Sequence, residues 1–126
     1  MQGGSDAEGT VVRSNTGREF SVQNLFFQNG CFLIIFEGEP RIGAISASIS
    51  ASGGKANTAK VIPSKYDSIF INTVSEKVSS MINGICLVSL HNKVQLDLDD
   101  MKAIMGVVMD IVEKRRDNSN EGQNSG

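Results

Sequence analysis

The chain has no tryptophan, one tyrosine (Tyr66), one histidine (His91), two cysteines and two prolines among 126 residues. Each scarcity excludes something. So few flat rings make a poor platform for stacking nucleic-acid bases. One imidazole cannot anchor an ordinary zinc site, and Cys31 and Cys86 lie in separate apolar runs without ligand spacing. The cysteines read as small buried hydrophobes in a reducing compartment. A disulfide between neighbouring strands stays open as the alternative. An excess of charge of one sign is also lacking: the net charge is −2 and the pI about 5.3. Binding through phosphates needs a concentrated basic surface, so nucleic acid is not expected as a partner. The longest purely apolar run, Cys31 to Phe36, falls far short of the ~20 residues that cross a bilayer as a helix. The first residues, Met1 to Gly9, lack the charged start and apolar stretch of a secretory signal. A cytoplasmic protein without a membrane partner is the expectation.

What is present suits one core. The chain is 40% hydrophobic, enough for one domain of this length. Residues 1–9 and 117–126 are rich in Gly, Ser, Asn and Gln without apolar periodicity and read as disordered tails. Residues 10–116 read as a single domain, with no internal repeat.

Thr10 to Ser14 suits a first strand, and Asn15-Thr16-Gly17 a turn. From Arg18 apolar and polar residues alternate, with Phe20 and Val22 on one side. The alternation changes phase at Gln23-Asn24 before Leu25 and Phe27, as a β-bulge would cause. Asn29-Gly30 carries the strongest hairpin signal, a type I′ turn. Cys31 to Phe36 is apolar on both faces and should be an interior strand covered on both sides. Ile45, Ala47, Ile49 and Ala51 alternate with Ser46, Ser48 and Ser50, the pattern of an antiparallel strand with one half-polar face. Ser52-Gly53-Gly54-Lys55 reads as a turn and Ala56 to Ile62 as a short strand.

Pro63 then biases Ile62 towards an extended backbone. Ser64, Asp67 and Ser68 are turn formers. Ile69-Phe70-Ile71, β-branched and aromatic, reads as a short strand, with Asn72, Thr73 or Ser75 capping a helix after it. Val74, Val78, Met81 and Ile82 form that helix's stripe, and Asn83-Gly84 ends it. Ile85 to Leu90 is a second strand apolar on both faces. A last helix starts near Leu98 among Asp97, Asp99 and Asp100 and ends in Lys114-Arg115-Arg116, charges that suit its dipole. Met101, Ile104, Met105, Val108, Ile111 and Val112 make its buried stripe. The expected fold is α+β: an antiparallel sheet of about six strands with two packed helices.

A search for chemistry in these residues finds little. Gly3-Gly4 and Gly53-Gly54 open no helix, and no phosphate-loop spacing is present. His91 with Asp97, Asp99 and Asp100 could form a His–Asp pair, but a histidine at a strand end and aspartates capping a helix explain the same residues. Those aspartates also lack the loop of a calcium site. No catalytic residue, metal or cofactor is expected, and a binding protein is favoured over an enzyme.

The stretch Ser64-Lys65-Tyr66-Asp67-Ser68-Ile69, followed by Asn72-Thr73, resembles the proteasome assembly chaperone 4 family. Phe36-Glu37-Gly38-Glu39-Pro40-Arg41-Ile42-Gly43-Ala44-Ile45 and the Val88-Ser89 step are similar in kind to that family's elements. The resemblance implies a non-enzymatic chaperone that binds proteasome α-type subunits while the core-particle ring forms. It also implies a homodimer, or a heterodimer with a related chaperone. Lys65, Tyr66 and Asp67 are the candidate partner contact, because tyrosine buries area at small entropic cost. Tyr66 could instead lock the turn. Ile45, Ala47 and Ile49, or the serine face of the same strand, are the candidate dimer interface. The middle region also looks like a family of prenylated-flavin chaperones that serve decarboxylases, through Gly43-Ala44 and His91. Here His91 is followed by Asn92-Lys93-Val94 rather than by that family's His-x-Asp step.

Overall fold

A computed structural model of the chain describes residues 7–50 and 56–125, with side chains over 9–50 and 56–117. The turn expected at Ser52 to Lys55 and the first six residues lie outside them. The order is β1 (Ala7–Arg13), β2 (Glu19–Phe27), β3 (Gly30–Phe36), β4 (Ala44–Ser50), β5 (Ala56–Ile62), α1 (Ser68–Ile82), β6 (Ile85–His91) and α2 (Leu98–Ser125). The six strands form one sheet in the order β1-β2-β3-β6-β4-β5. The α+β expectation holds, with one correction: the sheet is mixed. β6 enters between β3 and β4 and runs parallel to β3, and the other neighbours are antiparallel.

Both helices lie on one side of the sheet. Phe20, Val22, Cys31, Leu33, Ile35, Cys86, Val88 and Leu90 face them and pack against Phe70, Ile71, Val74 and Val78 of α1 and Ile104, Val108 and Val112 of α2. Burying a side chain of this size contributes roughly 1.5–3 kcal/mol, so this layer is the main source of stability. The α2 stripe is the one read from its periodicity, with Ile104, Val108 and Val112 fully buried and Met101, Met105 and Ile111 at its margins.

Three local expectations are corrected. β2 carries no bulge: its register with β1 and β3 is unbroken, and Asn24 is buried beside Phe20 and Val22 while Leu25 turns to the other face. The hairpin turn is Gln28-Asn29, and neither residue has positive φ. Gly30 is instead the first residue of β3, where a Cβ would overlap the Ile85 carbonyl of β6. Ile69-Phe70-Ile71 is the first turn of α1, not a strand. Phe70 and Ile71 sit one turn before Val74 on the same stripe, and that packing overrides β-propensity. Asp67 takes the N-cap position without a side-chain cap bond. β1 begins at Ala7 and α2 runs to Ser125. Extending an existing helix adds one hydrogen bond per residue and needs no new nucleus.

Candidate interaction surfaces

The two faces of β4 are used in the opposite sense to a simple surface strand. Its serines point inward, with Ser46, Ser48 and Ser50 almost fully buried. Ser46 Oγ donates to Asn72 Oδ1 at 2.7 Å, and Ser48 Oγ pairs with Ser75 Oγ at 2.8 Å and Thr58 Oγ1 at 2.7 Å. Thr58 in turn donates to Glu76 Oε2 at 2.8 Å. These bonds satisfy hydroxyls whose desolvation would otherwise be costly. The apolar residues Ile45, Ala47 and Ile49 are left on the helix-free face.

That face is continuous across the sheet. Leu25, Phe32, Leu87, Ala47 and Ala59 lie in register across five strands. Beside this row run Ile34, Ser89, Ile45 and Ile62 on one side and Ile85 and Ile49 on the other. Ile49 is 53% and Phe27 59% exposed. β3 and β6 are therefore apolar on both faces, as read, but within this chain the helices cover only one. Near the upper end the Gly43 N–H donates to Ser89 Oγ at 3.0 Å, and Ser89 and Phe36 are buried. A patch of apolar side chains this broad marks a surface that meets something.

The Ser64 turn divides its three candidate contacts. Ser64 Oγ accepts from the N–H of Tyr66 at 3.3 Å and of Asp67 at 2.9 Å, the local turn chemistry expected of serine. Tyr66 is 44% exposed, and the Lys65 ammonium sits 5.5 Å from its ring centroid. Asp67 is turned inward instead. Its carboxylate is buried and accepts from Asn92 Nδ2 at 2.8 Å and the Leu96 N–H at 3.2 Å. It anchors the loop after β6 and is not offered to a partner. Beside the turn lies a pocket of about 340 Å³ that brings together Gly43, Ala44, Lys65, Tyr66, His91 and Lys93. The residues quoted for both family resemblances thus meet in one place.

An ion cluster that the sequence reading missed locks the other side of this loop. Arg18 Nε and Nη2 donate to the two oxygens of Glu37 at 2.9 and 2.8 Å, Nη1 to Asp100 Oδ2 and to the Gln95 carbonyl at 3.0 Å each, and Nη2 to the Val94 carbonyl at 3.1 Å. All five guanidinium N–H groups are engaged. Asp100, fully buried, also accepts from Thr16 Oγ1 at 2.6 Å and the Asp97 N–H at 2.9 Å. Burial opposes its charge, yet the bonds from Thr16 and the Asp97 backbone, with Ser14 and Arg18, hold it below the ordinary carboxylate value. Glu37 is lowered chiefly by the Arg18 hydrogen bond, and Arg18 is raised chiefly by Glu37. Of the aspartates at the start of α2, Asp100 thus both ties down the Asp97 N–H at the helix start and pairs with Arg18. Among the described residues His91 makes no hydrogen bond to any of them, and no group of three or more His, Cys, Asp or Glu is placed to hold a metal. Cys31 and Cys86 are register partners, buried thiols with their sulfurs 3.8 Å apart. The shared hydrogen bond and burial push the Cys86 thiol well up.

By class, this is an α+β protein whose helices cover one sheet face and whose other face is apolar and accessible. In structure it is similar to a chain in the crystal structure of a chaperone complex for yeast 20S proteasome assembly, with a TM-score of 0.53 and 12% identity, covering 92% of this chain and 97% of that one. At that identity the likeness shows the fold. No protein-family model matches the chain, and no curated protein matches it. No helix among the described residues is long and apolar enough to cross a membrane.

Proposed function

We propose that this protein is a non-enzymatic, cytoplasmic assembly chaperone that works as a dimer and holds proteasome α-type subunits while their ring forms. The observation that carries the reading is the apolar row Leu25, Phe32, Leu87 and Ala47, which neither helix covers among the described residues. Sheets with apolar inner faces stack at about 10 Å, so a second copy or a related chain can close this face as a sandwich. The fold shared with a protein of a proteasome assembly complex supports the choice of client. The exposed pair Lys65 and Tyr66, on the turn between β5 and α1, is the client contact.

Sedimentation of the purified protein should give the mass of two chains, and Ala47→Asp, which places an unpaired charge in the face, should give one. The same Ala47→Asp protein should keep its helical circular-dichroism signal. Immobilised wild type should retain recombinant α-type subunits, and Tyr66→Ala should lose them while remaining dimeric. Retention of no α-type subunit would remove the client assignment. Unchanged affinity in Tyr66→Ala would remove the contact.

A second reading rests on the pocket shared by Gly43, Ala44, His91, Lys65 and Lys93. Two lysines and an imidazole at such a pocket suit a phosphate-bearing cofactor, and the protein would then carry a prenylated flavin to a decarboxylase. Absorbance titration with flavin mononucleotide decides: saturable binding that Lys65→Ala weakens supports this reading, and a featureless titration ends it.

A further inference from the structure

The strand ends opposite the Arg18 cluster form a second site, and we infer that it binds a short acidic peptide carrying an apolar side chain. A cleft of about 630 Å³ opens there between the Gln28-Asn29 turn, the end of α1 and the later turns of α2. Phe26 and Met81, both half-buried, form its apolar floor, and Phe27, Asn83, Arg115 and Arg116 form its rim. The Arg115 guanidinium lies 5.1 Å from the centroid of the Phe26 ring, which holds it in place while leaving its N–H edges available. Among the described residues neither arginine forms a salt bridge, and no carboxylate lines the cleft.

The lining selects the occupant. Two guanidiniums that form no salt bridge among the described residues favour carboxylates, which they can bind through paired hydrogen bonds. The floor of Phe26 and Met81 has no use for a bare inorganic anion, and it rewards a ligand that also buries an aliphatic or aromatic group. The amides of Gln28, Asn29 and Asn83 suit a peptide backbone. A nucleic-acid strand is disfavoured because Glu113 and Asp117 flank the two arginines in the chain, whose net charge is −2. The assignment does not depend on which protein supplies the peptide or on the sheet face.

The test is fluorescence anisotropy with a labelled hexapeptide alternating aspartate and leucine, against a control with asparagine for aspartate. The wild type should bind the acidic peptide at least about tenfold more tightly, since charged hydrogen bonds are lost in the control. The double variant R115Q/R116Q should lose about tenfold or more by the same reasoning, and binding should weaken as salt is raised. Both side chains are exposed, so a matching thermal melt shows that the variant is folded. Arg13→Gln, at the far end of the sheet, should bind as the wild type. Equal binding of the two peptides overturns the proposal, as does unchanged binding in R115Q/R116Q. So does displacement by inorganic phosphate at the concentration of the peptide, or tighter binding of a single-stranded oligonucleotide.

Discussion

Replacing Arg18 with methionine tests how the loop between β6 and α2 is held. The variant keeps most of the side chain's length and removes its five donors, leaving Glu37 and the fully buried Asp100 without their cation. Removing one partner of a buried pair costs about 3–5 kcal/mol. The Arg18 and Glu37 side chains keep 18% and 12% of their exposure, so water can reach part of the site and the lower end applies, about 3 kcal/mol. For a chain of this size that is a fall in Tm of roughly 12 °C. The pH dependence gives an independent check. Glu37 and Asp100 are both lowered in the fold, so their contribution is fully present above the ordinary carboxylate range near pH 4 and is lost as pH falls through their lowered values. In Arg18→Met the lowering of Glu37 loses its largest cause, whereas Asp100 keeps its bonds from Thr16 and the Asp97 backbone. The gap between wild type and variant should therefore be widest at neutral pH and shrink below pH 4. Urea titrations followed by circular dichroism at pH 7 and pH 3 measure both. A cost below about 1 kcal/mol at pH 7, the level of a surface ion pair, would refute the reasoning, as would a gap of equal size at the two pH values.

Three further outcomes follow from single contacts. Asp67→Ala strands the buried Leu96 N–H and the Asn92 amide and should cost about 1–3 kcal/mol in urea titration; a change within 0.5 kcal/mol would show water replacing the carboxylate. Gly43→Ala drives a Cβ into the Leu90 carbonyl of β6, which cannot move without breaking the sheet, so a loss of about 1–3 kcal/mol is expected and an unchanged melt would contradict it. Cys31 and Cys86 should resist a thiol reagent in the folded protein and both react in denaturant, and rapid labelling of either thiol in the native state would disprove their burial.

The features legible in the sequence are those decided locally. Asn83 takes the left-handed conformation at φ 53° that an Asn-Gly helix end implies, and the α2 stripe repeats at helical spacing, so neighbours in sequence settle both. What was misread was decided at long range. The isoleucines at 69 and 71 look like a strand until α1 is packed on the sheet, when Ile71 is buried and Ile69 is left 81% exposed. Gly30 looks like a turn residue until β6 lies against it. The serines of β4 look like a surface because their partners, Asn72 and Ser75, lie on a helix more than twenty positions later. Arg18 carried no local signal, since its partners are Glu37, Val94, Gln95 and Asp100. The double-sided apolarity of β3 and β6 was visible. It implied two covers, and among the described residues the helices supply one.

The position of β6 has a consequence for how the molecule comes into being. β1, β2 and β3 can close as successive hairpins soon after they are made, but β4 and β5 have no place beside them until β6, whose Cys86 lies 55 positions after its partner Cys31, slides in as the central rail. Closing so long a loop before its contacts form is slow, and the hairpin of β4 and β5 waits with a raw edge meanwhile. A nascent chain halted before Ile85 is thus two unjoined fragments, and the last third of the polypeptide turns them into one sheet.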